Sequence, residues 1–207
     1  MEVYLLFFDK LLVCLYRHLK TNIMSITIST RQLLRLLMIL SWIIFIGVCA
    51  EAGGILCNSI FALLFNADNA KYFWSGADLS SLYSYDPGYF LVVTLVMSIV
   101  AILKAIMFYL IVKILHEKKL DMAQPFNNEL SKFLANVSYL TLGIGIFSIA
   151  GVRHAEWLTK LGVKMPDAEL LGLGGADVWF FMGVTLLVIT QIFKRGVEIQ
   201  AEHELTV

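Results

Sequence analysis

The stretch Tyr89-Phe-Leu-Val-Val-Thr-Leu-Val-Met-Ser-Ile-Val-Ala-Ile-Leu-Lys-Ala-Ile-Met-Phe-Tyr-Leu-Ile-Val112 decides the fold. Its only charged side chain is Lys104, and no proline or glycine interrupts it. A helix rises about 1.5 Å per residue and needs about 20 apolar residues to cross a hydrocarbon layer about 30 Å thick, so this run is long enough to cross. A strand of that length would leave the backbone groups of an open sheet edge unpaired in lipid. The expected element is a transmembrane helix.

Working outward, three more stretches have the same character: Leu36 to Phe65, Phe133 to Val152, and Val178 to Phe193. Only the last is slightly short until its flanks are counted. The three prolines, Pro87, Pro125 and Pro166, each lie in a polar connection just before the second, third or fourth stretch. Internal proline removes a helix hydrogen bond and clashes with the preceding turn, so this placement is what helical spans produce. The whole chain of 207 residues is 59% hydrophobic and 15% charged, with a mean hydropathy of +0.78, far more apolar than a water-soluble domain can bury. The sequence therefore predicts an all-α integral membrane four-helix bundle: an N-terminal segment 1–32, a membrane domain 33–196 and a tail 197–207.

Sixteen basic and sixteen acidic side chains balance to zero, so no basic surface attracts phosphate and direct nucleic-acid binding is not expected. Cys14, Cys49 and Cys57 are too few and too scattered for a disulfide framework or a metal site. On a helix, Cys49 and Cys57 are separated by about 12 Å of rise, too far for a bridge.

Basic residues set the expected orientation. Lys10, Arg17, Lys20, Arg31 and Arg35, then Lys113, Lys118, Lys119 and Lys132, then Lys194 and Arg195 fall on one side; Lys71, Arg153, Lys160 and Lys164 fall on the other. This imbalance of eleven to four predicts cytoplasmic termini, an N-in/C-in placement. The first connection holds Tyr72, Phe73, Trp74, Tyr83, Tyr85, Tyr89 and Phe90, an aromatic density expected of a headgroup-level belt on the outer side. A carbohydrate-binding aromatic platform is the sharper alternative.

The apolar run Val3 to Tyr16 is short and is divided by Asp9 and Lys10, which suits an interfacial helix and not a span. It does not read as a secretory signal peptide, because Arg17, His18 and Lys20 follow the apolar part and no small-residue cleavage site appears. A start of translation at Met24 is the competing reading and is favoured slightly.

Of the thirty-two formal charges, only Glu51 and Lys104 lie inside the four stretches. Charges in hydrocarbon cost several kcal/mol unless paired, hydrated or snorkelling, so an intramembrane Glu51–Lys104 pair is the leading candidate site. Counted from Lys113 and Arg35, the two depths are about 13 Å and about 24 Å; tilt of the long first helix and snorkelling of Arg35 reduce the mismatch. The alternative is an outer boundary near Leu56, which places Glu51 just below the headgroups. Gly47, Glu51, Gly54 and Asn58 recur at i, i+4, i+7 and i+11 as a small and polar stripe expected to face inward. Gly47, Gly53, Gly54 and Ala50 would admit a neighbouring backbone, and Ala101 and Ala105 repeat the small-residue spacing beside Lys104.

Asn136, Ser138, Thr141, Gly143, Gly145 and Ser148 in the third stretch, and Thr185, Thr190 and Gln191 in the fourth, read as interhelical adhesive. His154 and Glu156 beside Trp157 are too few to ligate a metal and read as exposed connection residues. Asp177 after Gly174-Gly175-Ala176 is the expected N-cap of the last helix. No G-x-S-x-G, Walker, H-E-x-x-H or C-x-x-C motif is present, so no catalytic residue and no cofactor is assigned.

The tail closes with Phe193-Lys-Arg-Gly-Val-Glu-Ile-Gln-Ala-Glu-His-Glu-Leu-Thr-Val207. It resembles the ending of the family known as domain of unknown function 2975, small bacterial membrane proteins. Phe193 to Gln200, Glu202, Leu205, Thr206 and Val207 fit, whereas His203 and Glu204 replace the usual Asn-Asp. The rest of the resemblance is of four-span layout over roughly residues 33 to 207. It implies a four-helix protein of the bacterial cytoplasmic (inner) membrane, often encoded beside a small helix-turn-helix regulator, with no enzymatic activity assigned. The tail residues Glu198, Gln200, Glu202, Glu204, Leu205 and Thr206, or the connection Leu115 to Lys132, are then the expected docking points for that soluble regulator. A tail packed as a helix end on the bundle is the plainer alternative. Besides the lipid bilayer and this regulator, the sequence leaves a homo-oligomer open. The first rival function is a small-solute or proton transporter centred on Glu51 and Lys104; a membrane enzyme comes third.

Overall fold

The computed structural model describes residues 30–117 and 127–204, and the side chains of all of these except 30, 31, 67, 203 and 204. The N-terminal run, Cys14, the middle of the second connection, Leu205 and Thr206 lie outside the described residues. The chain divides at Leu36 into two units; of the first, the described part is the opening turns of α1. The second, Leu37–Val207, carries everything that follows.

Every described regular element is helical: α1 (Thr30–Leu64), two 3-10 turns (Ala67–Ala70 and Trp74–Gly76), α2 (Ser80–Tyr85), α3 (Pro87–His116), α4 (Asn128–Lys160) and α5 (Ala176–Glu204). Four of them, all but α2 and the 3-10 turns, are long and apolar enough to cross a membrane. Except at the end of α1, which stops one residue inside its apolar stretch, their limits exceed the apolar stretches because capping, and not hydropathy, ends a helix. Asp86 accepts from the Gly88 and Tyr89 amides with Pro87 in the first turn of α3, and Asn127 accepts from Leu130 N at 2.7 Å to start α4. Helix α4 stops in a Schellman turn: Val163 N donates to Leu158 O and Gly162 N to Thr159 O, with Gly162 at φ +89° and Leu158 and Val163 both buried. Helix α5 starts at Ala176, preceded by Gly175, so Asp177 sits inside the first turn and not at the cap. There its carboxylate still favours the positive end of the helix dipole.

Helices α3, α4 and α5 form the packed centre. Gly145 lies so close to α5 that an added Cβ would be 2.8 Å from Phe180 N, and one on Gly183 would be 2.9 Å from Leu142 N. The close backbone approach expected along α1 is therefore found between α4 and α5, while among the described residues Gly47 and Gly53 have nothing within 4 Å of an added Cβ. Met97, Val100, Ala101, Met107 and Ile144 fill the α3–α4 side.

In α1 only 6% of the most apolar window is buried, against 44% in α3. Besides Ser41, its covered positions, Ala52, Ile55, Ser59 and Ala62, share one face of its second half. Earlier, Leu36, Ile39, Leu40, Trp42, Ile43 and Ile46 are all exposed. A helix apolar all round with so little protein cover is suited to lipid as its solvent.

The first connection is folded. Ala70, Ala77, Leu79 and Leu82 are fully buried, with Phe73 at 3% and Phe90 at 0% exposure. Phe90 meets Phe73 edge-on at 6.2 Å and Tyr83 at 5.2 Å. Full burial of such a ring contributes about 1.5–3 kcal/mol, which is why these aromatics make the interior of a small cap and not a belt. Tyr72 and Tyr85 remain exposed. Lys164 N donates to Ser81 Oγ at 3.1 Å, tying the α4–α5 connection to α2.

Candidate functional site

The α4–α5 connection ends in a tight turn whose chemistry is set by Gly172. Leu171 N donates to Asp167 O, Gly172 N to Glu169 O and Leu173 N to Ala168 O, and Gly172 has φ +69°. This left-handed position costs any residue with a Cβ about 1–2 kcal/mol. Leu171 and Leu173 are both 1% exposed and anchor the turn. A Cβ on Gly151 of α4 would strike Leu173 Cδ1 at 2.6 Å, so that glycine makes room for the anchor.

The turn brings Gly172 to both charges carried within the apolar stretches. Lys104 Nζ donates to Gly172 O at 2.8 Å. On the other side, a Cβ placed on Gly172 would lie 3.1 Å from Glu51 Oε1. Among the described residues, Glu51 and Lys104 make no nitrogen–oxygen contact within 4.0 Å; they meet through the Gly172 peptide. A backbone carbonyl is an acceptor as much as a carboxylate is, and in a low-dielectric setting it is a strong one for an ammonium. Both residues are half-buried, and one of the three ammonium donors is satisfied by this bond.

The remaining stripe is only partly inward. Gly54 adjoins Trp74, whose indole an added Cβ would overlap, so the glycine admits a ring and not a backbone. Asn58 is half-buried, whereas Gly47 is exposed. The hydroxyls expected to bond across helices mostly bond within their own: Ser138 to Ala135 O, Thr141 to Val137 O, Thr185 to Phe181 O and Thr190 to Leu186 O. Back-bonding to the preceding turn satisfies a hydroxyl without a partner helix. Thr141 also approaches Met107 Sδ at 3.8 Å, a weak acceptor.

His154 and Glu156 lie within α4 and not in a connection. The His154 ring stacks on Trp157 at 5.6 Å and tilts against Tyr89 at 6.0 Å, leaving its Nε2 buried with no hydrogen-bond partner among the described residues. Arg153, Glu156 and Asp177 line a cavity of about 390 Å³ between α4 and the start of α5.

At the other end, α5 continues unbroken through Lys194 and Arg195 to Glu204. Arg195 pairs with Glu198 at 2.8 Å, both side chains being more than half exposed. Gln200 is half-buried and Glu202 exposed. Sequence reasoning missed Gly172, Gly151 and Gly183. The repeated glycines of Leu171-Gly-Leu-Gly-Gly175 were the one available signal of a special turn.

Residues 66–207 match the model of a family described as a protein of unknown function, DUF2975. The match covers the cap, α2, α3, α4 and α5 and begins just after α1, so it is shorter than the four-span layout expected from residue 33. No curated protein and no solved structure matches the chain.

Proposed function

The chain belongs to the DUF2975 family, and on that premise we propose a multi-pass, non-enzymatic membrane protein that holds a small helix-turn-helix regulator at the cytoplasmic face. The observation that carries this reading is the helical extension of α5 beyond its basic edge, with Glu198 and Glu202 exposed on it. Residues 197–207 contain three glutamates and no lysine or arginine, a charge complementary to a basic DNA-binding protein. Four crossings put both ends on one side, and the imbalance of basic residues favours the cytoplasm. Affinity purification from native membranes should recover a helix-turn-helix protein with the full chain and lose it when residues 197–207 are removed. Retention by the truncated chain would end the tail's role.

A second reading, transport of a proton or small solute, draws on the convergence of Glu51 and Lys104 at Gly172. Reconstituted vesicles would show a flux abolished by Glu51→Gln and by Lys104→Gln. A flux indifferent to both substitutions ends this reading.

A further inference from the structure

Between the last turns of α3 and the first turns of α4 lies a cavity of about 290 Å³. Two lysines, Lys113 and Lys132, and two glutamates, Glu117 and Glu129, line it. Glu117 follows Lys113 by four residues and Glu129 precedes Lys132 by three, spacings that bring helical side chains together. Yet among the described residues neither lysine has a carboxylate oxygen within 4.0 Å. For Lys113 and Glu117 the order is the poorer one, with the cation nearer the helix N-terminus.

The lining carries two positive and two negative charges. A plain anion would meet both carboxylates and a plain cation both ammoniums, so neither is favoured. A ligand holding a phosphate and a protonated amine a few bonds apart matches both halves. The walls say how it arrives. Leu110, Ile114 and Phe133 also line the cavity. Lys113 directly follows the apolar run that ends at Val112, and Phe133 opens the next one. The cavity thus straddles the boundary between charged and apolar surface, where a bilayer places its headgroups.

We propose that this cavity binds the headgroup of a zwitterionic phospholipid bearing a primary amine, the ethanolamine class, with its phosphate on Lys113 and Lys132 and its ammonium on Glu117 and Glu129. A carboxylate has room for several hydrogen bonds, so other interactions of the two glutamates leave acceptor sites for the amine. The apolar wall receives the glycerol and first acyl carbons, which a free phosphoamine lacks. The inference rests on the membrane-crossing reading of the four long helices.

The test uses the full chain purified in detergent, offered equal amounts of phosphatidylethanolamine, phosphatidylcholine and phosphatidylglycerol, with bound lipid read by native mass spectrometry. The choline headgroup has no N–H to donate and glycerol has no cation, so phosphatidylethanolamine should be retained over both by about fivefold. The preference over phosphatidylcholine should vanish in Glu117→Gln/Glu129→Gln, whereas Lys113→Gln/Lys132→Gln should weaken retention of all three lipids, each variant melting in lipid-free detergent as the parent does. Equal retention of the three lipids, or a preference over phosphatidylcholine that survives replacement of both glutamates, overturns the proposal. Displacement by free glycerophosphoethanolamine at equal concentration overturns the lipid as its source. If the chain instead fractionates without detergent as a soluble protein, the membrane-crossing reading itself fails, a result distinguishable from a membrane-bound chain with no lipid preference.

Discussion

Lys104 and Gly172, 68 positions apart, are joined by a 2.8 Å hydrogen bond from the ammonium to the carbonyl oxygen. A charge within a long apolar helix is thereby answered by backbone, and the Glu51 carboxylate stands at the other side of the same glycine. The arrangement makes the three residues one unit.

Exchange of the two charges separates this unit from a direct ion pair. Glu51→Lys with Lys104→Glu would preserve a direct pair, but here it turns a carboxylate toward the Gly172 carbonyl, acceptor against acceptor. The double variant should be no better folded than Lys104→Glu alone. Expression level and detergent melting temperature check this, and full recovery by the exchange would contradict it.

Gly172 and Glu51 should be energetically coupled. Gly162→Ala, at φ +89° with open space around it, should lose about 1 kcal/mol from backbone strain alone. Gly172→Ala should lose more, because its Cβ also crowds Glu51 Oε1 at 3.1 Å. Adding Glu51→Ala should restore about 0.5–1 kcal/mol of that difference in a double-mutant cycle of chemical unfolding. Strict additivity would mean that the carboxylate does not feel the turn.

The α4–α5 seam predicts opposite outcomes at two neighbouring glycines. Gly145→Ala forces a methyl against the Phe180 backbone at 2.8 Å and should destabilise by about 1–3 kcal/mol. Gly143→Ala meets only Leu103 Cδ1 at 3.5 Å, an ordinary contact, and should stabilise by up to about 1 kcal/mol through helix propensity. Thermal melting of the two variants side by side reads the difference.

Asp78 gives the cap a pH dependence of known sign. The Ser80 hydroxyl donates to Asp78 Oδ1 at 2.6 Å and the Ser80 amide at 2.9 Å. Chiefly through the hydroxyl, then the amide, they hold the carboxyl below its ordinary 3.8, with Lys71 adding a smaller pull in the same direction. The folded-state value is depressed, so its contribution is fully present above pH 3.8 and fades as pH falls through the lower folded value. Trp74 fluorescence in the cap should report a loosening in that acidic window, and Asp78→Ala should remove the dependence while weakening the cap at neutral pH.

The long helices were legible because they rest on composition: long apolar runs read as lipid-compatible helices, and a lone Lys104 within one must find an acceptor. Its acceptor was not legible. A carbonyl carries no side-chain signature, and Gly172 reaches Lys104 only because a Schellman-type turn and the room at Gly151 lower the connection toward α3. Among the aromatics, Phe73 and Phe90 are buried while Tyr72 and Tyr85, with a hydroxyl to solvate, are exposed; residue type carried that signal, but which rings meet depends on how the cap closes. Gly145 and Gly183 lie on different helices, and no single-helix periodicity pairs them.

The span between Lys104 and Gly172 also orders events on the ribosome. At roughly 5–20 residues per second, the 68 positions represent roughly 3–14 s during which the lysine has been made and its carbonyl has not. Glu51 has already been synthesised by then. Of the three, the acceptor that binds Lys104 is therefore made last.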